Sequence, residues 1–332
     1  MPHLSRRAAL SLTIGAAALP ITRRRARAAT PDKVVYQASW LPQAEQGGFH
    51  QALATGLYQA AGLEVEIRKG GPQVDVNASF LAGRSDFVEA PGFTVLNYVA
   101  QNLPGLAVAT IFQKDPRVLL SHPGEGNDSL EALKGKPILV ATAGRQTYWQ
   151  WLKARYGYAD EQARPYTFSM APFLADKRIT MQGLITSEPL DLRRAGVDPV
   201  IHLLADHGFG NVTTVLASPR MVAEKPDLVQ RFVDATIRGW ASYLGGDPGP
   251  GDALIKKANP DMPDEKLAYA RETMKARELI TGADAKSAGI GATSDARWAS
   301  FYAEMSAAGA LPAGLDPTKG YTLRFVNKGL AL

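Results

Sequence analysis

The 332-residue sequence contains no cysteine, which excludes disulfides, thiolate metal sites and cysteine nucleophiles. Histidine is scarce, and His122, His202 and His207 show neither HxH nor HExxH spacing. GxSxG and P-loop motifs are also missing, and the lone glycine pair of GFGN (208–211) is too weak to indicate nucleotide binding. We therefore predict no catalytic residue, no metal and no cofactor.

Long apolar runs are absent too. The run over residues 8–21 is about fourteen residues long, whereas a membrane-spanning helix needs about twenty. It follows paired Arg6 and Arg7 and precedes an arginine-rich stretch with a small-x-small cleavage site. This pattern predicts that residues 1–29 are a signal peptide, of the twin-arginine type or, as an alternative, the Sec type, cleaved near Ala28 or Ala29. We expect an exported, soluble, periplasmic protein.

The positive charge belongs to this segment. The chain carries a formal charge of +5, but residues 1–29 hold six arginines and no lysine or acidic residue. The remainder has 31 basic against 32 acidic residues. Nothing in that balance indicates a nucleic-acid partner.

From Lys33 onwards, short apolar runs alternate with helical stretches, which predicts an α/β fold built on parallel sheets. Apolar runs predict strands, and a helix is expected over 143–157. We expect one lobe to comprise 30–115 plus 212–332, including a helical C-terminal third, and a second lobe to comprise 116–211. Crossings near 113–117 and 209–211 would join them as a hinged clamshell. The main predicted strands are 33–39, 63–71, 85–90, 105–113, 117–122, 136–142 and 211–218.

The stretch 33–59 concentrates the functional signals. A predicted buried strand leads into a loop with Trp40, Gln43 and Glu45, and Gly47-Gly48 then opens a helix. Ligands of α/β proteins bind beyond the carboxyl ends of the strands, so this loop is a candidate ligand mouth. The alternative is an ordinary strand–helix turn, with Trp40 as core filler.

Three stretches, WLPQAEQGGFHQALATGLYQAAGLEVEIRKGG, FLAGRSDF and ATIFQKDP, resemble type II periplasmic solute-binding proteins. The similar branch serves uptake of nitrate, sulfonates, taurine and thiamine pyrimidine precursors by ABC transporters, and includes riboflavin and aromatic-acid binders. The resemblance runs from about Lys33 to Gly245. It implies two Rossmann-like lobes closing on a small molecule, and delivery by a monomer to an ABC permease in the inner membrane.

The resemblance leaves the ligand open. Our preferred ligand is a small nitrogenous ring metabolite, with a thiamine pyrimidine precursor as the best single candidate. The alternative is an anion such as an alkanesulfonate, taurine, nitrate or an aromatic carboxylate. A third possibility is a periplasmic enzyme on the same fold. Fungal relatives form pyrimidines with a cysteine-rich motif, which this chain cannot contain.

Aromatic and acidic residues are the candidates for a ring ligand. Trp40 and Tyr148 would sandwich the ring, one from each lobe, unless both are interior packing. Glu45, Glu89 and Glu188 would accept hydrogen bonds from an amino group or ring N–H. A carboxylate such as Glu89, at the end of an apolar strand, needs a partner. Glu188 has the alternative of simply starting a helix.

The remaining candidates lie at a helix start and at the crossings. Arg145, in the loop 142–147, would bind an anionic ligand if it pointed into the cleft, and would be solvated otherwise. Gln113 at the first crossing, and Phe209 with Asn211 at the second, would face the cleft or pack the hinge.

Overall fold

The computed structural model describes residues 30–71 and 74–330. The predicted signal peptide, 1–29, therefore lies outside the described residues. Among the described helices, none combines the length and the apolar character needed to cross a membrane.

Within the described residues, ten strands form two five-stranded sheets. The first sheet has the order β2-β1-β3-β10-β4, and the second has the order β7-β6-β8-β5-β9. The strands are β1 Asp32–Gln37, β2 Leu63–Arg68, β3 Phe87–Pro91, β4 Leu106–Phe112, β5 Arg117–Ser121, β6 Ile138–Val140, β7 Ala163–Pro165, β8 Thr180–Leu184, β9 Val200–Leu203 and β10 Thr213–Ala217.

Helices flank both sheets, and the last third of the described chain is helical apart from its C-terminal segment. The helices are α1 Gly47–Ala54, α2 Leu57–Ala60, α3 Val76–Leu81, α4 Gly92–Ala100, α5 Thr142–Arg145, α6 Tyr148–Tyr156, α7 Ala171–Ala175, α8 Glu188–Arg194, α9 Pro219–Glu224, α10 Pro226–Gly245, α11 Gly249–Ala258, α12 Asp264–Ala276, α13 Ala285–Ala288 and α14 Asp295–Ala307.

The chain passes between the two sheets twice. It leaves the first sheet after β4 and returns to it with β10, so that 113–116 and 204–212 are the two crossing segments. We call the first sheet with its helices the first lobe, and the second sheet with its helices the second lobe. The predicted two-lobe α/β architecture is confirmed, and the exact lobe boundaries remain a prediction.

The expectation of parallel sheets is wrong for two strands. β1 pairs in parallel with β2 and β3, but β10 is antiparallel to both β3 and β4. In the second sheet, β5 is antiparallel to β8 and β9. β5 and β10 are the strands that immediately follow a crossing segment, so each starts where its neighbours end. The carboxyl ends of the other strands therefore face the junction between the lobes.

Close packing of α1 on α10 explains the Gly47-Gly48 pair. A Cβ placed on Gly48 would lie 2.2 Å from the Trp240 ring, and one on Gly47 would lie 2.1 Å from the Tyr243 ring. Real Cβ atoms do not approach other atoms this closely, so larger residues would push the helices apart. These glycines begin α1, as predicted, and let it pack closely against α10.

The helix predicted over 143–157 is broken in two. α5 ends at Arg145 and α6 begins at Tyr148, with Thr147 at φ −119° and ψ −102° between them. The Thr147 hydroxyl donates to the carbonyl of Ala143 (3.1 Å), and such back-bonding bends helices. Between β5 and β6 the chain forms a 3₁₀ turn over Glu131–Leu133.

Candidate functional site

The two lobes meet along two groups of contacts. The first group, which we call the loop seam, sets Trp40, Gln43 and Glu45 of the first lobe against the second-lobe loops that follow β7 and β8. The second group, the crossing seam, surrounds the two crossing segments. Its central residues are Asp115, Arg117, Tyr148, Phe209 and Asn211.

Trp40 is held at the end of β1 by a neighbouring backbone. Its carbonyl accepts a hydrogen bond from the Gly70 amide at 2.9 Å. A Cβ on Gly70 would lie 2.4–2.5 Å from the backbone of Ser39 and Trp40, so only glycine permits this approach. The half-buried Trp40 ring lies 5.2 Å from the ring of Phe168, which belongs to the second lobe.

Phe168 replaces Tyr148 as the aromatic partner of Trp40. The Phe168 ring also lies 5.3 Å from the ring of Tyr166, at an interplanar angle of 54°. Three aromatic rings therefore line the loop seam, one from the first lobe and two from the second. Sequence reasoning missed Phe168, because nothing along the chain links it to a tryptophan 128 positions earlier.

Glu45 links the lobes by a hydrogen bond. Its Oε1 accepts from the hydroxyl of Thr186, which lies after β8 in the second lobe. Gln43, Glu45 and Thr186 line a cavity of about 10 Å³ together with Ser187 and residues of α12. Since that volume holds about one water molecule, a ligand can enter here only if the lobes separate.

Burial controls the protonation of Glu45. The side chain is 6% exposed, and desolvation raises its pKa from 4.5 to about 7. The Thr186 hydroxyl opposes this rise, whereas the nearby Glu188 carboxylate adds to it. Glu45 is therefore poised to gain or lose a proton near neutral pH as its surroundings change.

Glu89 is buried behind the Trp40 loop. Its Oε2 accepts from the Ser39 amide (2.9 Å), the Ser39 hydroxyl (2.5 Å) and the Gln46 side chain (3.3 Å). Burial raises its pKa above the ordinary value, and these donors oppose the rise. The expected partner is thus a set of neutral donors rather than a cation. The other oxygen, Oε1, makes no hydrogen bond within the described residues.

Glu188 is the first residue of α8, which corresponds to the alternative that it simply starts a helix. Its Oε2 accepts from the Leu184 amide at 2.7 Å, which closes the turn between β8 and α8. Burial is the main cause of its raised pKa. The carboxyl group is half-buried on the second-lobe side, near Glu45.

The helix α12 reaches across to the second lobe next to this point. Lys266 donates to Asp191 of α8 at 2.6 Å, and Arg194 of α8 pairs with Glu265. The hydroxyl of Tyr269 donates to the carbonyl of Ile185 at 3.1 Å. These contacts show that the C-terminal helices bridge the lobes in addition to packing on the first one.

In the crossing seam, Asn211 ties three segments together. Its amide nitrogen donates to Asp115 of the first crossing segment, and its Oδ1 accepts from the Phe93 amide at 3.1 Å. Asp115 also accepts from the Arg117 amide at 2.9 Å. Asp115 and Asn211 are both buried, so this pair joins the two crossings inside the protein.

Tyr148 lies in the same seam and is fully buried. Its hydroxyl donates to Gln182 of β8 at 2.7 Å, and its ring packs on Gly144. The Arg117 guanidinium lies 5.2 Å above the ring, in cation–π range. Burial raises the pKa of Tyr148 well above its usual range. Tyr148 thus has a packing role, and Arg117 and Gln182 are neighbours that sequence reasoning missed.

Phe209 and Gln113 are packing residues as well. The Phe209 ring contacts Trp151 at 5.3 Å and Phe301 of α14 at 6.1 Å. The Gln113 amide nitrogen donates to the carbonyls of Thr110 (2.9 Å) and Ala292 (2.8 Å). Both side chains are buried, which corresponds to hinge packing, the second of the two sequence expectations.

Arg145 is engaged with the edge of the second sheet. Its guanidinium donates to the carbonyl of Ala163 on β7, the outermost strand, at 2.8 Å. This bond anchors the guanidinium at the outer edge of the second sheet. The geometry therefore gives no support to Arg145 as an anion ligand.

Other polar groupings in the described residues lie away from these seams. His202 and Ser121 are 3.1 Å apart, but both are buried and both also face the Asn127 carbonyl. No cluster of three metal-binding side chains occurs in the part of the chain that the structure describes. A larger surface depression, about 500 Å³, is lined by second-lobe residues alone and belongs to neither seam.

Two mixed α/β lobes, joined by two crossing segments and facing each other with the carboxyl ends of their strands, define the type II periplasmic-binding-protein fold. The chain belongs to the NMT1/THI5-like family, which it matches over residues 43–248. The suspected family is thus confirmed.

Two known proteins illustrate the relationship. The riboflavin-binding protein RibY of Chloroflexus aurantiacus is 26% identical over 337 residues, covering 96% of this chain and 95% of RibY. The alkanesulfonate-binding protein SsuA from Xanthomonas axonopodis pv. citri, bound to MOPS, superposes with a TM-score of 0.64 at 15% identity. That match covers 89% of this chain and 99% of SsuA.

The same fold also carries an enzyme. The desulfurization enzyme DSZB superposes with a TM-score of 0.57 at 13% identity, covering 88% of this chain and 96% of DSZB. At such identities the similarity concerns the fold alone. Function must therefore be argued from the residues at the seams.

Proposed function

We propose that this protein is the periplasmic substrate-binding component of an ABC importer, and that it captures a small nitrogen-containing ring between its lobes. The observation that carries this proposal is the contact of Trp40 with Phe168 across the loop seam. Two aromatic side chains from opposite lobes provide stacking surfaces for a flat ligand. Stacking adds about 0.5–1.5 kcal/mol to the burial of ring area.

The charges around the seam favour a ligand that donates hydrogen bonds. Glu45, Glu89 and Glu188 all lie at or just behind it, and burial raises the pKa of each. Lys266, a cation close to Glu45 and Glu188, already pairs with Asp191. Ring N–H and amino groups would stabilise the ionised form of these carboxyl groups, whereas a sulfonate or nitrate would disfavour that form further.

Glu89 is the best placed acceptor for such a group. It is bonded to Ser39, the residue just before Trp40, so its carboxyl group lies close to the aromatic surface. Oε2 is saturated by three donors, while Oε1 is left for a further donor. We propose that a ring N–H or amino group of the ligand binds there.

Two ring systems fit this description. One is the aminopyrimidine of a thiamine precursor. The other is the isoalloxazine of riboflavin, the ligand in the name of the relative RibY. Both are flat, and both present N–H donors beside ring acceptors. A ligand of either kind would fill the space between the lobes after they open.

A binding role accounts for the site better than an enzymatic one. The chain has no cysteine, and the Ser121–His202 pair is buried outside the seams. The seam residues offer stacking surfaces and hydrogen-bond acceptors, and the Ser39 and Thr186 hydroxyls there are bonded to Glu89 and Glu45 rather than to a histidine.

Thermal-shift screening of the chain without residues 1–29 tests this proposal. The panel contains riboflavin, an aminopyrimidine, taurine, an alkanesulfonate, nitrate and benzoate. A ligand at one hundred times its dissociation constant stabilises the native state by about 2.7 kcal/mol, or a few degrees in Tm. We expect shifts with the ring compounds. A shift with anions alone would assign the site to anions, and silence across the panel would contradict the proposal.

A further inference from the structure

The loop between β7 and α7 contains the most solvent-exposed residue among the large apolar side chains of the described chain. The side chain of Phe168 is 54% exposed, whereas the other exposed large apolar side chains range from 36% to 42%. A single exposed apolar side chain is common on protein surfaces, so the exposure of Phe168 gains meaning only from its backbone conformation and from the rings that it contacts.

The backbone of Phe168 is also unusual. Its φ is +62°, in the left-handed region that bulky residues rarely adopt. Such conformations persist where the surroundings impose them, and they cluster at ligand clamps and switch regions. Here the imposing contacts are aromatic, with Tyr166 below the ring at 5.3 Å and Trp40 of the other lobe at 5.2 Å.

We infer that Phe168 is a lid residue that retains a flat ligand on Trp40 when the lobes close. The inference rests on the proposed function, and deepens it by naming the residue that controls ligand release. When the lobes separate, the Phe168 ring loses its first-lobe partner and is left on Tyr166. When they close, it covers the Trp40 surface, and a bound ring is shielded from water.

The two residues that flank Phe168 face solvent, whereas Tyr166 in the same segment is buried. Thr167 and Ser169, on either side of Phe168, are exposed, and Leu174 of α7 is 39% exposed. Truncating Phe168 therefore leaves no cavity in the core of the second lobe. Its effect should appear in ligand release rather than in the stability of the fold.

The test measures the release of riboflavin, or of an aminopyrimidine if that is the ring compound which binds. Stopped-flow displacement is recorded for the wild type, Phe168→Ala, Phe168→Leu and the matched control Leu174→Ala. We expect release about tenfold faster in Phe168→Ala, an intermediate rate in Phe168→Leu, and no change in Leu174→Ala. The association rate and the Tm of the free protein should be unchanged in all three.

Phe168→Gly separates the ring from the backbone. Glycine adopts a positive φ freely, so this variant removes the ring and the strain together. If the ring acts as the lid, Phe168→Gly and Phe168→Ala release the ligand equally fast. If only the backbone conformation matters, the glycine variant keeps the wild-type rate, which would overturn the inference.

Trp40 fluorescence gives a second readout. All five tryptophans lie in the described residues, and Trp40 is the one that is not buried. Acrylamide quenching of the ligand-bound protein should rise in Phe168→Ala and stay constant in Leu174→Ala. Equal release rates and equal quenching in wild type and Phe168→Ala would refute the lid role of Phe168 and leave the proposed function standing. Failure of the wild type to bind any ring compound would refute the proposed function, and the lid with it.

Discussion

The two seams between the lobes differ in construction. At the crossing seam, Asp115, Tyr148 and Asn211 are buried and make hydrogen bonds inside the protein. At the loop seam, the contacts are a half-exposed aromatic pair, two hydrogen bonds, of which only the Glu45–Thr186 bond is buried, and two ion pairs, one half-buried and one exposed. Buried hydrogen-bonded groups are costly to separate, whereas exposed ion pairs contribute little. The difference indicates a permanent junction on one side and a reversible one on the other.

Asn211→Ala should have the largest effect, because it breaks the permanent junction. It leaves the buried Asp115 carboxylate short of a donor and the Phe93 amide without its acceptor. We expect the free energy of unfolding to fall by about 3 kcal/mol, measured by urea denaturation. As a control, Gln59→Ala at an exposed position should change the free energy of unfolding very little. An equally small loss in Asn211→Ala would contradict the permanent character of the crossing seam.

The pH dependence of stability, through the carboxyl group of Glu45, tests the loop seam, which is the reversible junction. Because burial raises its pKa from 4.5 to about 7, the folded, closed state binds the proton more tightly than the unfolded chain does. Its contribution to stability is therefore fully present below pH 4.5 and is lost as pH rises through about 7. The linkage amounts to at most about 3 kcal/mol.

Glu45→Gln should remove this dependence. The difference in unfolding free energy between pH 5 and pH 8 should be smaller in Glu45→Gln than in the wild type. The exposed Glu64→Gln should keep the wild-type difference. If Glu45→Gln and the wild type show the same pH profile, the Glu45 carboxyl group is solvated and the loop seam is open in the free protein.

Trp40→Ala should weaken ring binding more than tenfold, a loss of at least about 1.4 kcal/mol. The neighbouring exposed Leu41→Ala serves as the matched control, and we expect it to keep the wild-type affinity. Isothermal titration with the ring compound identified by screening measures both. Wild-type affinity in Trp40→Ala would remove the aromatic pair from the site.

Arg194→Ala should have the smallest effect, because its partner Glu265 is largely exposed. We expect the free energy of unfolding to fall by less than about 1 kcal/mol. Ligand affinity should fall modestly, because the closed form loses one contact between the lobes. Arg220→Ala removes a comparably exposed ion pair within α9 and should leave affinity unchanged. A stability loss as large as that of Asn211→Ala would erase the distinction between the seams.

Much of the fold follows from local sequence patterns. The strand β4, for example, lies inside the predicted range 105–113, and β1 begins one residue before the predicted range 33–39. Apolar runs that predict strands, and glycines that end helices or strands, are signals carried by adjacent residues. The structure forms elements where these signals predict them. Strand direction is not local, which is why the antiparallel entry of β5 and β10 after the crossings was missed.

The site was predicted less well than the fold. The loop after β1 was identified, because an aromatic and a carboxylate beyond a strand are visible in the chain. Its partners Phe168 and Thr186 were not, because only the folded structure brings the second lobe to Trp40 and Glu45. Gln113, Phe209 and Asn211 lie in the crossing segments, where burial, hydrogen bonds and ring contacts commit them to packing.

The central claim is that the free protein exchanges between open and closed forms of the loop seam, that a ligand retains the closed form, and that the crossing seam stays intact throughout. Because the chain has no cysteine, two spin labels can be attached at the exposed positions Gln59 of the first lobe and Lys177 of the second, each replaced by cysteine. A control pair, Gln59 with Arg220, lies within the first lobe. Electron–electron resonance should show a shorter, narrower inter-lobe distance when a ring ligand is added, with the control distance constant. An inter-lobe distribution that stays unchanged at saturating ligand would contradict the account.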